Sequence, residues 1–413
     1  MTEVAGAVED GWGRVADTFR RNFDACGEVG AACCVYVDGQ PVVDLWGGVA
    51  DPRDRRPWNQ DTLVVVFSTT KGATAICAHM LVERGQLDLD APVVSYWPEF
   101  AAKGKGEIRV RSLLSHQAGL PGITEPLTLD EACTWDPVIS ALEREEPLWK
   151  PGTRQSYHAM TYGFLVGEVV RRVSGKTIGR FFADEVAAPL HLDAWIGLPA
   201  EQDSRVAHLI PSPPLDLDAN VEQILSQIPG SDTVLRAGTE AVKAILADPG
   251  SVGIPQPLGG AFPPEFVTED GGHNARIVRA SEHPGSGMVA DARSLARMYA
   301  ATIGELDGVR LVAPETVERM CVVQAAPQYG VPLDLAQPLM DVGFPMAVSL
   351  GFLRPTPWMP LLGSRSFGHP GAGGSLAFAD PEAKVGFGYA MNRMATNART
   401  ANNLVAAVAD CLA

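Results

Sequence analysis

The chain has 413 residues, 46% of them apolar and 20% charged, with a formal net charge of −16. That is long enough for a large buried core and too apolar for a disordered chain. The acidic surface repels phosphate backbones and anionic headgroups, which argues against nucleic acid and membrane surfaces as partners.

The N-terminus, MTEVAGAVEDGWGRVADTFRRNF, carries acids early and lacks the basic start and apolar core of a secretory leader, and no run of 18 apolar residues follows anywhere. A soluble, cytoplasmic protein is the expectation. A helix is expected over 8–24, then a hairpin over 30–48, where two β-prone runs flank Asp38-Gly39, a strong two-residue turn signal. After a Gly/Pro/Asp-rich stretch (51–61), residues 62–67 lead into Ser68. From 69 to 84 the apolar residues Ala73, Ile76, Cys77, Met80 and Leu81 recur at helical spacing, with Gly85 as a stop. This is expected to be an amphipathic helix with Ser68 at its N-cap.

Helices are expected at 108–116, 159–174 (stopped by Gly175), 177–187 and 234–247. Residues 201–284 are rich in Pro, Gly and Asp and suit a flap over a site. A helix at 291–303, a strand at 375–379, a turn at 380–382, a return strand at 385–391 and a final helix at 397–412 complete the chain. The order predicts an α+β fold, an antiparallel sheet flanked by helices with a helical subdomain inserted. It is expected to be one unit over 1–413, with an α/β part at about 1–85 and 285–413. The insert then spans about 86–284, with 201–280 its variable flap.

The seven cysteines are an odd number without a CxxC pair, so neither a disulfide framework nor a zinc knuckle is suggested. Cys77, close to Ser68, reads as a small core residue. No H-E-x-x-H, Walker or Rossmann pattern occurs, so no metal and no cofactor is expected. The G-x-S-x-G elbow of ordinary Ser-His-Asp hydrolases is missing too.

Ser68-Thr69-Thr70-Lys71 is the one S-x-x-K in the chain. One helical turn sets the Lys71 amine beside the Ser68 hydroxyl, and a helix N-terminus can aim the serine's own N–H at a developing oxyanion. FSTTKG (67–72) resembles the nucleophile motif of class C β-lactamases and family VIII carboxylesterases in the serine β-lactamase and penicillin-binding-protein superfamily. RSLLSHQAGLPG (111–122), PGTRQSYHAMTYGFLVGEVVRRVSG (151–175), SEHPGSGMVADARSLARMYA (281–300) and FGHPGAGGSLAFADPEAKVGFGYAMN (367–392) are similar to its later segments. The resemblance covers most of 8–412 and is poorest over 201–280.

By that resemblance Tyr157 is the second-motif tyrosine, a general base or proton shuttle whose pKa a neighbouring Lys71 ammonium would lower. Two departures stand out. The usual Tyr-x-Asn reads Tyr157-His158-Ala159, and the usual Lys-Thr-Gly reads His369-Pro370-Gly371, followed by Ala372. Both remove groups that bind the amide and carboxylate of β-lactams, the pattern of the esterase branch. A second His-Pro-Gly at 283–285 leads into a helix, whereas 369–372 precedes a strand, so the Ala372 N–H is expected to be the second oxyanion donor beside that of Ser68.

Gly371 and His369 complete the expected substrate-binding set, His369 as a substrate-facing donor or a packed residue, while His116, His158 and His191 read as structural. The resemblance implies a serine carboxylesterase that hydrolyses short-chain esters of small molecules through an acyl-Ser68 intermediate. An acyltransferase, β-lactamase or D-peptidase/amidase of the same superfamily, and a non-catalytic binding homologue, are the alternatives.

Overall fold

A computed structural model of the chain describes residues 2–212, 256–263, 266–324, 347–356, 359–395 and 398–413. Strands β1 (Val4–Val8), β2 (Gly30–Val37), β3 (Gln40–Asp51) and β4 (Arg56–Pro57) come from the N-terminal part. Short β5 (Val64–Val65), β6 (Ala194–Ile196) and β7 (Met288–Ala290) follow, then β8 (Phe367–Pro370), β9 (Leu376–Asp380) and β10 (Val385–Met391). The main sheet is antiparallel, in the order β1-β3-β2-β10-β9-β8 with β4 beside β3, and β5-β7-β6 form a small second sheet.

The hairpin turns at Asp38 (φ 48°) and Gly39 (φ 78°), the paired positive φ values of a type I′ turn, as the dipeptide predicts. The N-terminus differs from expectation. The helix α1 spans Gly13–Cys26; of the residues 8–12 expected to begin it, Val8 ends β1 instead, an edge strand on β3. Gly6 allows this pairing: at φ 109° any Cβ would lie 2.0 Å from the Asp44 carbonyl oxygen.

Helix α2 (Thr70–Glu83) is preceded by a 3₁₀ turn, Phe67–Thr69, so Ser68 lies inside that turn and caps nothing. Nor is α2 amphipathic. Every residue from Thr70 to Leu81 is buried, and the helical periodicity of its larger apolar side chains hid small residues, Gly72, Ala75 and Ala78, on the other faces.

The inserted part, between α2 and β7, is mostly helical. Val110–Leu114 and Trp135–Arg144 precede α3 (Thr161–Ser174), which ends at Gly175 in the left-handed conformation. Thr177 caps Ile178–Phe182, which runs on through a π turn to Leu190. Strand β6, inside the insert, was not expected. The helix predicted at 234–247, with much of the expected flap, lies outside the described residues.

Helix α4 (Ala292–Ile303), capped by the Asp291 side chain, packs on one face of the main sheet, where Gly386 and Gly388 lie against its backbone. Tyr389, pointing to the other face, reaches Glu28 and Thr400, the latter in α5 (Arg399–Leu412). α5 packs on α1, where Asn22 Nδ2 donates to Thr400 O at 3.1 Å. The α+β architecture is the one expected: helices cover both faces of the sheet, and α2 joins sheet to insert.

Candidate active site

Residues 62–81 are buried at every position except Ser68. The chain arrives through β5, where Val66 N–H donates to Met288 O at 3.0 Å, then passes Phe67 in a left-handed conformation (φ 47°). That backbone is unfavourable for a phenylalanine and persists where its surroundings over-determine it. The Phe67 ring packs at a tilt against His273, centroids 4.7 Å apart, and Thr70 Oγ1 ties the turn to both Phe67 O and Met288 N.

Lys71 is fully buried. Its Nζ lies 3.1 Å from Ser68 Oγ and 2.7 Å from each of two carbonyl oxygens, Ala159 and Gly285. No carboxylate is among these partners. Burial therefore holds the Lys71 ammonium well below the ordinary lysine value, favouring the free amine. A free amine has two N–H bonds for the two carbonyls and a lone pair left for the Ser68 hydroxyl.

Tyr157 sits beside this pair, with Lys71 Nζ 4.8 Å from its ring centroid. Burial raises the Tyr157 phenol, and its hydrogen bond with the Ser68 hydroxyl only partly opposes this. The expected lowering by a Lys71 ammonium is thus overturned: desolvation acts on both groups and favours the neutral form of each. Tyr157 Oη lies 3.4 Å from His369 Nε2. His369 Nδ1 faces Pro370 O at 2.6 Å and must carry the ring proton, so Nε2 is an acceptor. Of the two readings of His369, substrate-facing donor or packed strand-end residue, the second agrees with its burial and with an Nε2 that faces Tyr157. Burial and the nearby Lys71 push His369 down to about 3.

His116 and His158 hold the loops together. His158 Nδ1 donates to Ser156 O (2.6 Å) and its Nε2 accepts from Leu120 N–H (3.0 Å). His116 Nδ1 accepts from His158 N–H at 3.1 Å, and its ring packs at a tilt against Tyr157, centroids 4.9 Å apart.

Gly371 presses on the nucleophile's turn: a Cβ there would lie 2.2 Å from Val66 O and 2.1 Å from Ser375 Oγ. Ser375 Oγ donates to Val66 O at 2.8 Å. The backbone leading into exposed Ala372 is thereby clasped beside Ser68. Neither the Ser68 nor the Ala372 N–H is used in a hydrogen bond among the described residues. Cys77 is buried in α2, and desolvation raises its thiol, in keeping with a core residue.

The second His-Pro-Gly, set aside on sequence, is part of the site through its backbone: Pro284 O accepts from Thr74 and Gly285 O from Lys71. Gly163 of α3 lets this segment approach, since a Cβ would lie 2.1 Å from Gly285 N. No group of three or more potential metal ligands occurs among the described residues. No helix among them is long and apolar enough to cross a membrane.

Residues 15–410 match the family model "Beta-lactamase". The chain is 35% identical over 402 residues to "Esterase/beta-lactamase LipL" of Mycobacterium tuberculosis (strain ATCC 25618 / H37Rv), covering 95% of this chain and 83% of that protein. Among solved structures it resembles a family VIII carboxylesterase (TM-score 0.80, 34% identity, 99% of this chain and 100% of the other). It also resembles a penicillin-binding protein homologue from Caulobacter crescentus (TM-score 0.79, 31% identity, 99% and 100%).

Proposed function

The chain belongs to the beta-lactamase family, and we propose that it is a serine carboxylesterase acting on small-molecule esters through an acyl-Ser68 intermediate. The observation that carries this reading is Ser68 itself. It is the one opening in a twenty-residue buried stretch, and it is paired with a lysine whose hydrogen-bond partners among the described residues are a hydroxyl and two carbonyls.

In this reading the Lys71 amine takes the Ser68 proton as Oγ attacks the ester carbonyl. The N–H groups of Ser68 and Ala372 receive the negative charge on the carbonyl oxygen. Collapse expels the alkoxide, which takes its proton from the Tyr157 hydroxyl, and the Lys71 ammonium restores that proton. Water then attacks the acyl-serine, giving one proton to Lys71, which passes it to Ser68 Oγ as that oxygen leaves. An alkoxide leaves more readily than an amine, so esters tolerate the missing second-motif Asn and third-motif Lys-Thr.

The test is turnover of p-nitrophenyl acetate, butyrate and octanoate, beside a chromogenic cephalosporin, by the wild type and Ser68→Ala. Ester turnover should exceed lactam turnover and fall at least about 10³-fold in Ser68→Ala. Esterolysis unchanged by that substitution removes the reading.

A further inference from the structure

Two backbone carbonyls fix the Lys71 amine, Ala159 O and Gly285 O, each 2.7 Å from Nζ. What holds them in place lies one residue further along each segment. Ser286 Oγ is 3.3 Å from Met160 Sδ, so the residues that follow Gly285 and Ala159 touch each other. Thr74 grips the first segment from its other end by donating to Pro284 O at 2.7 Å.

His273 completes this arrangement. It is 1% exposed, and its Nδ1 faces Phe266 O at 3.0 Å, so Nδ1 carries the ring proton. Burial lowers the ring to about 4, which leaves Nε2 an acceptor, and Ser286 Oγ, 3.2 Å away, donates to it. The ring also packs at a tilt on Phe67 and on Phe262, with centroids 4.7 and 5.4 Å away. Phe67 precedes Ser68 and has the left-handed backbone (φ 47°) that its surroundings must sustain. One side chain thus meets the residue before the nucleophile and the residue after a carbonyl that holds the amine.

The local backbone is shaped to deliver this ring. His273 N–H donates to Phe266 O at 3.0 Å, and Gly272 turns at φ 57°, where a Cβ would lie 2.2 Å from that same oxygen. Asn274 anchors the turn, accepting from Leu209 N–H at 2.9 Å and donating to Leu209 O at 2.8 Å. The turn belongs to the stretch expected from the sequence to be a variable flap.

We propose that His273 is a positioning residue for the Ser68–Lys71 pair, acting through Phe67 on the nucleophile and through Ser286 on the Gly285 carbonyl that holds the amine. The inference rests on the serine-esterase reading and adds to it a residue that works through others. Desolvation is what depresses Lys71. Freeing the Gly285 segment lets water reach the amine, which favours the ammonium and returns Lys71 toward its ordinary range. The acid limb of kcat/KM then moves to higher pH. The titratable groups that face Lys71 are Tyr157 and Tyr162, with His116, His158 and His369 close enough to feel its charge, and the variants below leave all of them unsubstituted.

The experiment measures kcat, KM and the pH profile on p-nitrophenyl butyrate for the wild type, His273→Phe, His273→Gln and Ser286→Ala. His273→Phe keeps an aromatic ring against Phe67 and loses both ring hydrogen bonds. Its kcat should fall at least about tenfold with KM within about threefold, and its acid limb should move up by about half a pH unit or more. His273→Gln puts an amide oxygen where Nε2 accepts and should recover most of the lost kcat. Ser286→Ala should show the same loss and the same movement of the limb. The double variant of His273→Phe and Ser286→Ala should lose no more than about threefold beyond either single variant, because both remove one interaction.

A folded His273→Phe, checked by near-UV circular dichroism, whose kcat stays within about twofold of the wild type overturns the proposal. A fall in kcat with the acid limb unmoved reports general damage to packing and overturns it as well. Losses that multiply in the double variant remove the route through Ser286. Should His273→Phe not fold, Ser286→Ala decides: a limb moved upward upholds the proposal and a wild-type profile overturns it. Ester turnover surviving Ser68→Ala removes the esterase reading itself, whereas a wild-type-like His273→Phe beside an inert Ser68→Ala overturns the positioning role alone.

Discussion

At the scale of single residues, Lys71 carries the sharpest prediction. A buried ammonium without a carboxylate partner loses its proton well below the ordinary lysine range. Only the free amine can take the proton of Ser68, so kcat/KM should rise with pH through this depressed value and reach its plateau long before pH 10. Lys71→Arg keeps a cation that cannot deprotonate, and kcat should fall by about 10²–10⁴-fold. A wild-type profile still climbing above pH 10 would return the role of base to a lysine of ordinary basicity. Burial lowers the lysine and raises the tyrosine, which reverses the division of labour a charged lysine would impose.

At the scale of elements, the loop between α1 and β2 ties the N-terminal helix to the sheet through one buried carboxyl. Glu28 accepts from Tyr389 Oη of β10 at 2.7 Å, and burial raises it from 4.5 to about 7. The folded state therefore holds this proton more tightly than the unfolded state. The stabilisation is complete below about pH 4.5 and is lost as pH rises through about 7. Glu28→Gln keeps the acceptor without the charge, so it should raise the melting temperature above pH 7, by about 1–3 kcal/mol of stability at pH 8.5, and change little at pH 4.5. A difference that does not grow with pH would show that the Glu28 carboxylate is not desolvated.

Elements of this kind were unevenly legible in the sequence. Asp38-Gly39, Gly175 and the Ser68–Lys71 spacing announce a turn, a helix end and a hydrogen-bonded Ser–Lys pair, because each requires a particular residue at a particular place. The strands β5, β6 and β7, of two or three residues, are too short for any period to show. The acceptors of Lys71, Ala159 O and Gly285 O, are backbone atoms that every residue possesses. The tautomer of His369 depends on Pro370 O, one residue away but visible only once the strand is folded.

Across the whole molecule, six of the eight histidines are buried: His79, His116, His158, His273, His283 and His369. Desolvation lowers every one of them, His79, His158 and His273 to about 4, His283 and His369 to about 3 and His116 well below 6.5. Unfolding lets these rings take up protons from about pH 6.5 downward, so the stability they permit is whole above that value and drains as pH falls toward 4. At pH 5 the five that fall to about 3 or 4 each cost about 2 kcal/mol, and together they rival the entire stability of a typical protein, about 5–15 kcal/mol. Asp291, raised to about 6, and Glu28 pull the other way, but two carboxyls offset only part of six histidines.

Thermal melting and near-UV circular dichroism from pH 8 to pH 4 should therefore show cooperative acid unfolding centred near pH 5. A fold intact at pH 4 would refute this. His283→Phe should shift the transition to lower pH, because the ring lies edge-on to Phe164 and Phe262 and its Nδ1 has no partner among the described residues. The same titration separates the two consequences of burial. Activity that falls reversibly while the near-UV spectrum holds reports protonation of Lys71, whereas activity and spectrum lost together report the histidines.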